Sequence, residues 1–349
     1  MAKRTILMLL IAGSVMGCTA GRKRAFEAKV DTDPKTGWHI VTLSYRAGDP
    51  THDLTARICP EGGSNLFSLQ IGPIELLRQP DSLRQLQGRG YGMLVLYPTP
   101  NRVRYAQFTF QGNSYRMPTN WREHHLHGLV LDKPWQFAEP VVTDSSATLR
   151  TWIDFAPDTE PYRYFPWRSR LSLEFTLTAQ GVRVSYTVEN RDEKELPYGF
   201  AIHPYFNLLG ERSQTFVHVP AQAHMEAIEL LPTGNLEPLD GSPYDLRQPR
   251  PLSELNLDDV YWGMTPDRPM SWEARDKGIR LTLRASEVFT HAVVYTPPDR
   301  NFFCLENQTC STDAHNLHER GLLKESHLLI VPPGKTSTGW VEIIPALIR

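Results

Sequence analysis

Residues 170–190 read RLSLEFTLTAQGVRVSYTVEN, and the alternation of their side chains decides the fold class. Leu171, Leu173, Phe175 and Leu177 alternate with polar residues; after a turn at Ala179, Gln180 and Gly181 the alternation resumes at Val182, Val184, Tyr186 and Val188. A period of two puts successive side chains on opposite faces, so the stretch predicts an antiparallel hairpin with one buried face. Shorter runs of the same kind recur outward from it, at 105–112, 147–155, 214–220, 279–285, 291–297 and 327–344. The 28 prolines and 23 glycines interrupt the chain too often for long helices. The expectation is an all-β chain with few short helices, whose antiparallel strands close their apolar faces against one another in a large β-sandwich.

Composition narrows the partners. Over 349 residues, 40% hydrophobic and 22% charged side chains are ample for one large core and exclude disorder. Lys and Arg number 37 against 39 Asp and Glu, a net charge of -2, so no field draws in nucleic acid or an anionic membrane surface. The expected partner is a small, uncharged molecule.

The first 18 residues, MAKRTILMLLIAGSVMGC, have a basic start, a short apolar run and small residues before a cysteine. This is export-signal architecture, and the run is too short to span a bilayer comfortably. Residues 1–17 are read as a lipoprotein-type signal peptide and Cys18 as the lipidated residue, although Met16 is atypical at its position; an ordinary cleaved signal is the alternative. Residues 18–349 show no repeat or linker and are read as a single domain. The expected location is the periplasmic side of a bacterial envelope, with membrane contact only through the lipid anchor. Export permits disulfides, but three cysteines remain, Cys59, Cys304 and Cys310. Buried free thiols are preferred, with a Cys304–Cys310 bridge as the alternative.

The chemistry is expected where polar residues break the apolar runs. GFAIHPYFNLLG (199–210) sets His203 among aromatic and aliphatic neighbours, and FFCLENQT (302–309) sets Glu306 after four mainly apolar residues. An ionisable group in such company must find a partner or shift its pKa. Pro204 also holds His203 in extended backbone, which aims its ring. Asn101 and Arg102, the His124, His125 and His127 of HHLH, and the pair Asp258 and Asp259 complete the set. Taken singly, each of these has an ordinary reading as a hydrogen-bonded core residue or a surface charge.

Taken in order, these motifs resemble the aldose 1-epimerases, also called galactose mutarotases. The resemblance runs from ICPEGGSNLFSLQIG (58–72) to IVPPGKTSTGWVEI (330–343). Its points are Asn101-Arg102 before a strand, Leu126-His127-Gly128, and His203-Pro204-Tyr205-Phe206. Asp258, followed by Val260 and Tyr261, and Glu306 in CLENQ complete it. The family's large antiparallel β-sandwich agrees with the period-two reading.

The resemblance implies interconversion of the α and β anomers of a free aldose, with Glu306 as base, His203 as acid and no metal or organic cofactor. Arg102, His127, Asn101 and Asp258 would bind the sugar, and Trp121, Trp135 and Tyr205 are either packing faces for it or core and rim residues. Two departures bear on which sugar is taken. Leu129 stands where many relatives have a second glycine, and Val293 where some carry a substrate-binding glutamine. The segment APDTEPYRYFPWRSR (156–170) is read as a long loop, either a solvated connection or a border of the cleft that admits a larger sugar.

Three other readings stay open at this stage. One is a non-catalytic carbohydrate-binding envelope module. Another is a metal-dependent hydrolase built on HHLH, where a strand would put His125 and His127 on one face. The third is a glycosidase using Glu306 with Asp258 or Asp259.

Overall fold

The hairpin at 170–190 forms the middle of one sheet. Strand Ser169–Leu177 pairs with Val182–Asn190, setting Leu171 opposite Val188, Leu173 opposite Tyr186, Phe175 opposite Val184 and Leu177 opposite Val182. All eight side chains are buried while their alternates are partly or fully exposed. The computed structural model describes residues 25–348; the expected signal peptide, 1–17, and Cys18 lie outside them.

Among the described residues the hairpin belongs to a 10-stranded sheet, and a 12-stranded sheet lies against it. The central strands of the larger sheet run, side by side, Met93–Leu96, Ala201–Asn207, Phe302–Gln308, His291–Tyr295 and Asp258–Trp262. Alternation sorts their side chains into two environments. Ile202, Phe206, Phe303 and Leu305 enter the main core together with Leu171, Leu173 and Phe175 of the opposing sheet. Ala201, Tyr205, Phe302 and Cys304 form a separate small cluster with Leu94 and Leu96 on the other face. His203 and Glu306 share that second face, which the main core leaves free for a site.

Several local expectations change. The 156–170 segment is not a solvated loop: Glu160–Tyr164 is a short helix, and Phe165 and Trp167 are fully buried in the main core. Aromatic burial there outweighs the signal of its prolines and charges. In HHLH only His125–Leu126 is strand, paired with Arg102–Val103. His127 turns into the left-handed region at φ 69, so His125 and His127 do not share a face. Glu306 lies within strand Phe302–Gln308. Cys59, Cys304 and Cys310 are all free and buried.

Candidate active site

The central strands carry a cavity of about 270 Å³ lined by Arg102, His127, His203, Asp258 and Glu306, among others. His203 Nε2 lies 3.2 Å from Glu306 Oε1, with the two side chains 5% and 2% exposed. Such burial seals the pair from bulk water, which strengthens any charge interaction inside. Proline is normally excluded from central strands because it cannot donate to the ladder. Here the ladder between Ala201–Asn207 and Phe302–Gln308 runs through Ala201↔Gln308 and Ile202↔Asn307, then resumes at Tyr205↔Cys304. The gap falls at His203 and Pro204, opposite Glu306. Tyr205 stacks on the His203 ring at 4.5 Å, and Gln308 Nε2 donates to Glu306 Oε2 at 3.0 Å.

Burial moves both members of the pair toward their uncharged forms. Loss of hydration brings His203 down to about 3, and the positive charges of Arg89 and Arg102 push the same way. Loss of hydration likewise raises Glu306 well above the ordinary carboxylate value, aided by the Asp258 charge and opposed by the Gln308 hydrogen bond and Arg102. Burial thus works against a cationic His203 beside an anionic Glu306.

The remaining sequence-predicted residues converge on the same cavity. Arg102 donates from Nη1 to Asn101 Oδ1 at 2.9 Å and from Nη2 to Asp258 Oδ2 at 3.1 Å, and its guanidinium lies 4.6 Å over the Trp121 ring. Asn101 and His127 both have positive φ, 58° and 69°, and the His127 N–H donates to the Asn101 carbonyl at 2.8 Å. The glycine of Leu-His-Gly follows from this geometry. Gly128 sits at φ +70, where a Cβ would collide with the Tyr97 backbone. That turn brings the His127 ring to 5.1 Å from His203, edge to face. Burial and the neighbouring positive charges hold His127 well below its usual value, so it stays neutral. The buried atoms Arg102 Nε, His127 Nδ1 and His203 Nδ1 have no partner, as befits groups that meet a ligand.

Alternation also separates the two aspartates. Asp258 lines the cavity, whereas Asp259 accepts at 2.9 Å from His224. Val293 lies directly opposite Glu306 in register and lines the cavity with an apolar wall. Trp121 and Tyr205 line it too, while Trp135 is a core residue whose indole N–H donates to the Val130 carbonyl. Of the three histidines of HHLH only His127 arrives. His125 bonds the Pro118 carbonyl at 2.8 Å, and His124 accepts from the Tyr105 N–H at 2.9 Å. Among the described residues no group of three or more His, Cys, Asp or Glu is arranged to hold a metal ion. Sequence reasoning missed Gln308, Leu230 and Tyr295. Gln308 was findable, standing two residues from Glu306 on the same strand face.

The profile of the aldose 1-epimerase family matches residues 49–343. The uncharacterized protein YphB of Escherichia coli is 25% identical over 257 residues, 71% of this chain and 81% of its own. The galactose mutarotase of Mus musculus is 29% identical over 171 residues, 47% of each chain. A galactose mutarotase-like protein from Clostridium acetobutylicum superposes with a TM-score of 0.81 at 20% identity, over 93% of this chain and 99% of that one. For the galactose 1-epimerase of Lactobacillus acidophilus the TM-score is 0.74 at 15% identity, over 93% and 100%; these two likenesses establish the fold. The family match spans most of the length, from the strands ahead of Asn101 to those beyond Glu306, and the chain belongs to the aldose 1-epimerase family.

Proposed function

We propose that the protein interconverts the α and β anomers of a free aldose, with His203 and Glu306 exchanging protons across the sugar. The observation that carries this reading is the sealed His203–Glu306 pair, 3.2 Å apart, facing a cavity near the lower limit of about 300 Å³ for small-molecule sites. Ring opening needs one base to take the proton from the anomeric hydroxyl and one acid to protonate the ring oxygen as its bond to C1 breaks. The open aldehyde then turns about C1–C2, and closure reverses both transfers on the other face. The pair holds one proton before and after each step.

That conservation of protons gives burial a purpose. With the proton on His203, Glu306 is the base and His203 the acid; once the ring has opened, the proton resides on Glu306. The two distributions differ by an exchange through the substrate, and a dry cavity that favours the uncharged one keeps the pair singly protonated over a wide pH range. Sugar hydroxyls stabilise the charged distribution, and Arg102 favours the Glu306 carboxylate that acts as base on the closed ring. Arg102 and His127 hydrogen-bond hydroxyls and stabilise negative charge developing on the carbonyl oxygen; Asp258 and Asn101 hold the hydroxyls farther from C1.

The test is polarimetry on freshly dissolved single-anomer sugars. The protein accelerates the approach to equilibrium for at least one aldose, and Glu306→Gln and His203→Asn each lower kcat by about 10²–10⁴-fold, the range of general acid–base catalysis. Unaltered binding with no acceleration by the native protein would overturn the reading in favour of a binding module.

A further inference from the structure

Outside the sugar cavity, His224 is buried with a carboxylate on each ring nitrogen. It lies on strand Ala223–Ile228, which forms a hairpin with Leu231–Pro238 and pairs along its other edge with Asp258–Trp262. Its Nδ1 is 2.9 Å from Glu237 Oε2 on the hairpin partner, and its Nε2 is 2.9 Å from Asp259 Oδ1 on the adjoining strand. A neutral imidazole donates from one nitrogen alone, so two ionised carboxylates call for the doubly protonated, cationic ring. Tyr244 lies flat on that ring, 3.8 Å away with 1° between the planes, and Tyr261 meets it edge-on at 5.9 Å. Tyr261 in turn donates to the Tyr244 carbonyl at 2.9 Å.

Both ends of this bridge lead to the cavity. Asp259 Oδ2 accepts from the Asp258 backbone N–H at 3.1 Å, while the Asp258 side chain meets Arg102 and lines the cavity. The hairpin carries Leu230 at its turn, and Leu230 lines the cavity from there. Among the described residues the ladder from hairpin to sheet has two pairs, Ala223↔Trp262 and His224↔Tyr261. His224 therefore stands at the last rung, where the hairpin leaves the sheet.

We propose that His224 is a positioning residue of the sugar site: its imidazolium clamps the hairpin that carries Leu230 to the strand that carries Asp258, and loss of its proton weakens sugar binding. The proposal rests on the reading that an aldose occupies the cavity, and not on which groups move its protons. Burial works against the charged ring, but the hydrogen bonds and charges of Asp259 and Glu237 outweigh it and hold His224 above its ordinary value of 6.5. Of the other groups facing the ring, Tyr244 presents its ring face and Tyr261 a phenol that burial keeps neutral; Asp245 and Arg250, which act on Tyr261, oppose each other. A histidine with a raised value keeps its proton on the acid side and releases it as pH rises through that value. The clamp is thus closed at lower pH and open at higher. Its Asp259 end, on a carboxylate 20% exposed, is better shielded from water than the Glu237 end at 43%, and carries more of the hold.

Titration calorimetry and polarimetry with glucose and galactose, from about pH 6 to about pH 9, test this. The native protein binds at least one of them about 5-fold more weakly at the alkaline end, with KM rising more than kcat changes, and His224→Gln has the weaker affinity throughout. Glu306 and His203 titrate in both proteins, so the ratio of the two affinities isolates His224. Asp259→Asn keeps an acceptor but removes a charge, and it moves the native loss of affinity to lower pH. A histidine with a purely structural role would change the folded fraction in urea without producing this pH dependence. An affinity ratio of native protein to His224→Gln that is constant with pH, or an Asp259→Asn profile that superposes on the native one, overturns the proposal. A pH-dependent ratio with no mutarotation of either sugar upholds the clamp and fails the acid–base reading instead.

Discussion

In water a glutamate is charged at neutral pH and a histidine mostly uncharged; within the cavity, loss of hydration raises the first and lowers the second. The one-proton state of the His203–Glu306 pair thus persists from about 3, where the imidazole gains a proton, up to the raised value of the carboxyl. The pH profile of kcat/KM accordingly has no inflection at about 4.3, the ordinary value of a glutamate, and falls on the alkaline side of it as Glu306 loses its proton at its raised value. An inflection at about 4.3, measured by polarimetry, would contradict the buried geometry. Stability follows with a definite sign. A carboxyl whose folded pKa is raised stays protonated where the unfolded chain has released its proton, so the native fold loses stability as pH rises from the ordinary carboxylate value to the raised one. Glu306→Gln removes that loss. Its advantage over the native protein in urea unfolding grows by about 1.4 kcal/mol per pH unit across that window, and the inactive variant is the more stable protein at pH 7. His203 acts oppositely, weakening the native fold as pH falls from about 6.5 toward about 3.

At the scale of elements, the hairpin of Ala223–Ile228 and Leu231–Pro238 overhangs the cavity with a two-residue turn. Ile228 pairs with Leu231, leaving Glu229 and Leu230 at φ 51 and 67. Asn-Gly is the pair that suits such a turn, and bulky residues there cost about 1–2 kcal/mol each. Leu230 lines the cavity, so the strain has a use: it presents an apolar side chain to the bound sugar. Glu229→Asn with Leu230→Gly raises stability by about 1–3 kcal/mol in thermal melts and raises KM severalfold, with a smaller change in kcat. A fall in both stability and KM would remove the claim. The same backbone conformation explains what was hidden in the sequence. His203 and Glu306 were legible because each interrupts an apolar run of period two, and Pro204 marked the first. The HHLH segment misled because a strand pattern carries no sign that His127 enters the left-handed region, where its neighbour is Gly128. Residues 156–170 misled in the opposite sense, because prolines and arginines obscured Phe165 and Trp167, which the core consumes. Arg89, exposed and outside any periodic run, gave no signal at all.

Over the whole molecule, the sheet that bears the site is also one wall of the core, so stability and catalysis meet along single strands. Leu305 points into the main core between Cys304, which packs in the small second-face cluster with Tyr205, and Glu306, which lines the cavity. Leu173 occupies the same core from the opposing 10-stranded sheet, on a strand that contributes no residue to the cavity. Both leucines are almost fully buried, and each replaced by alanine costs about 2–5 kcal/mol of stability. Their effects on catalysis differ. The void left by Leu173→Ala relaxes against strands remote from the sugar, and the rate per folded molecule stays near the native rate. The void left by Leu305→Ala lets the Phe302–Gln308 strand shift, and a displacement of about 1 Å in Glu306 lowers kcat by up to about 10²-fold. Urea unfolding gives the folded fraction and polarimetry the rate on the same samples. Equal rates per folded molecule in the two variants would show that the core beneath the site does not position its carboxyl.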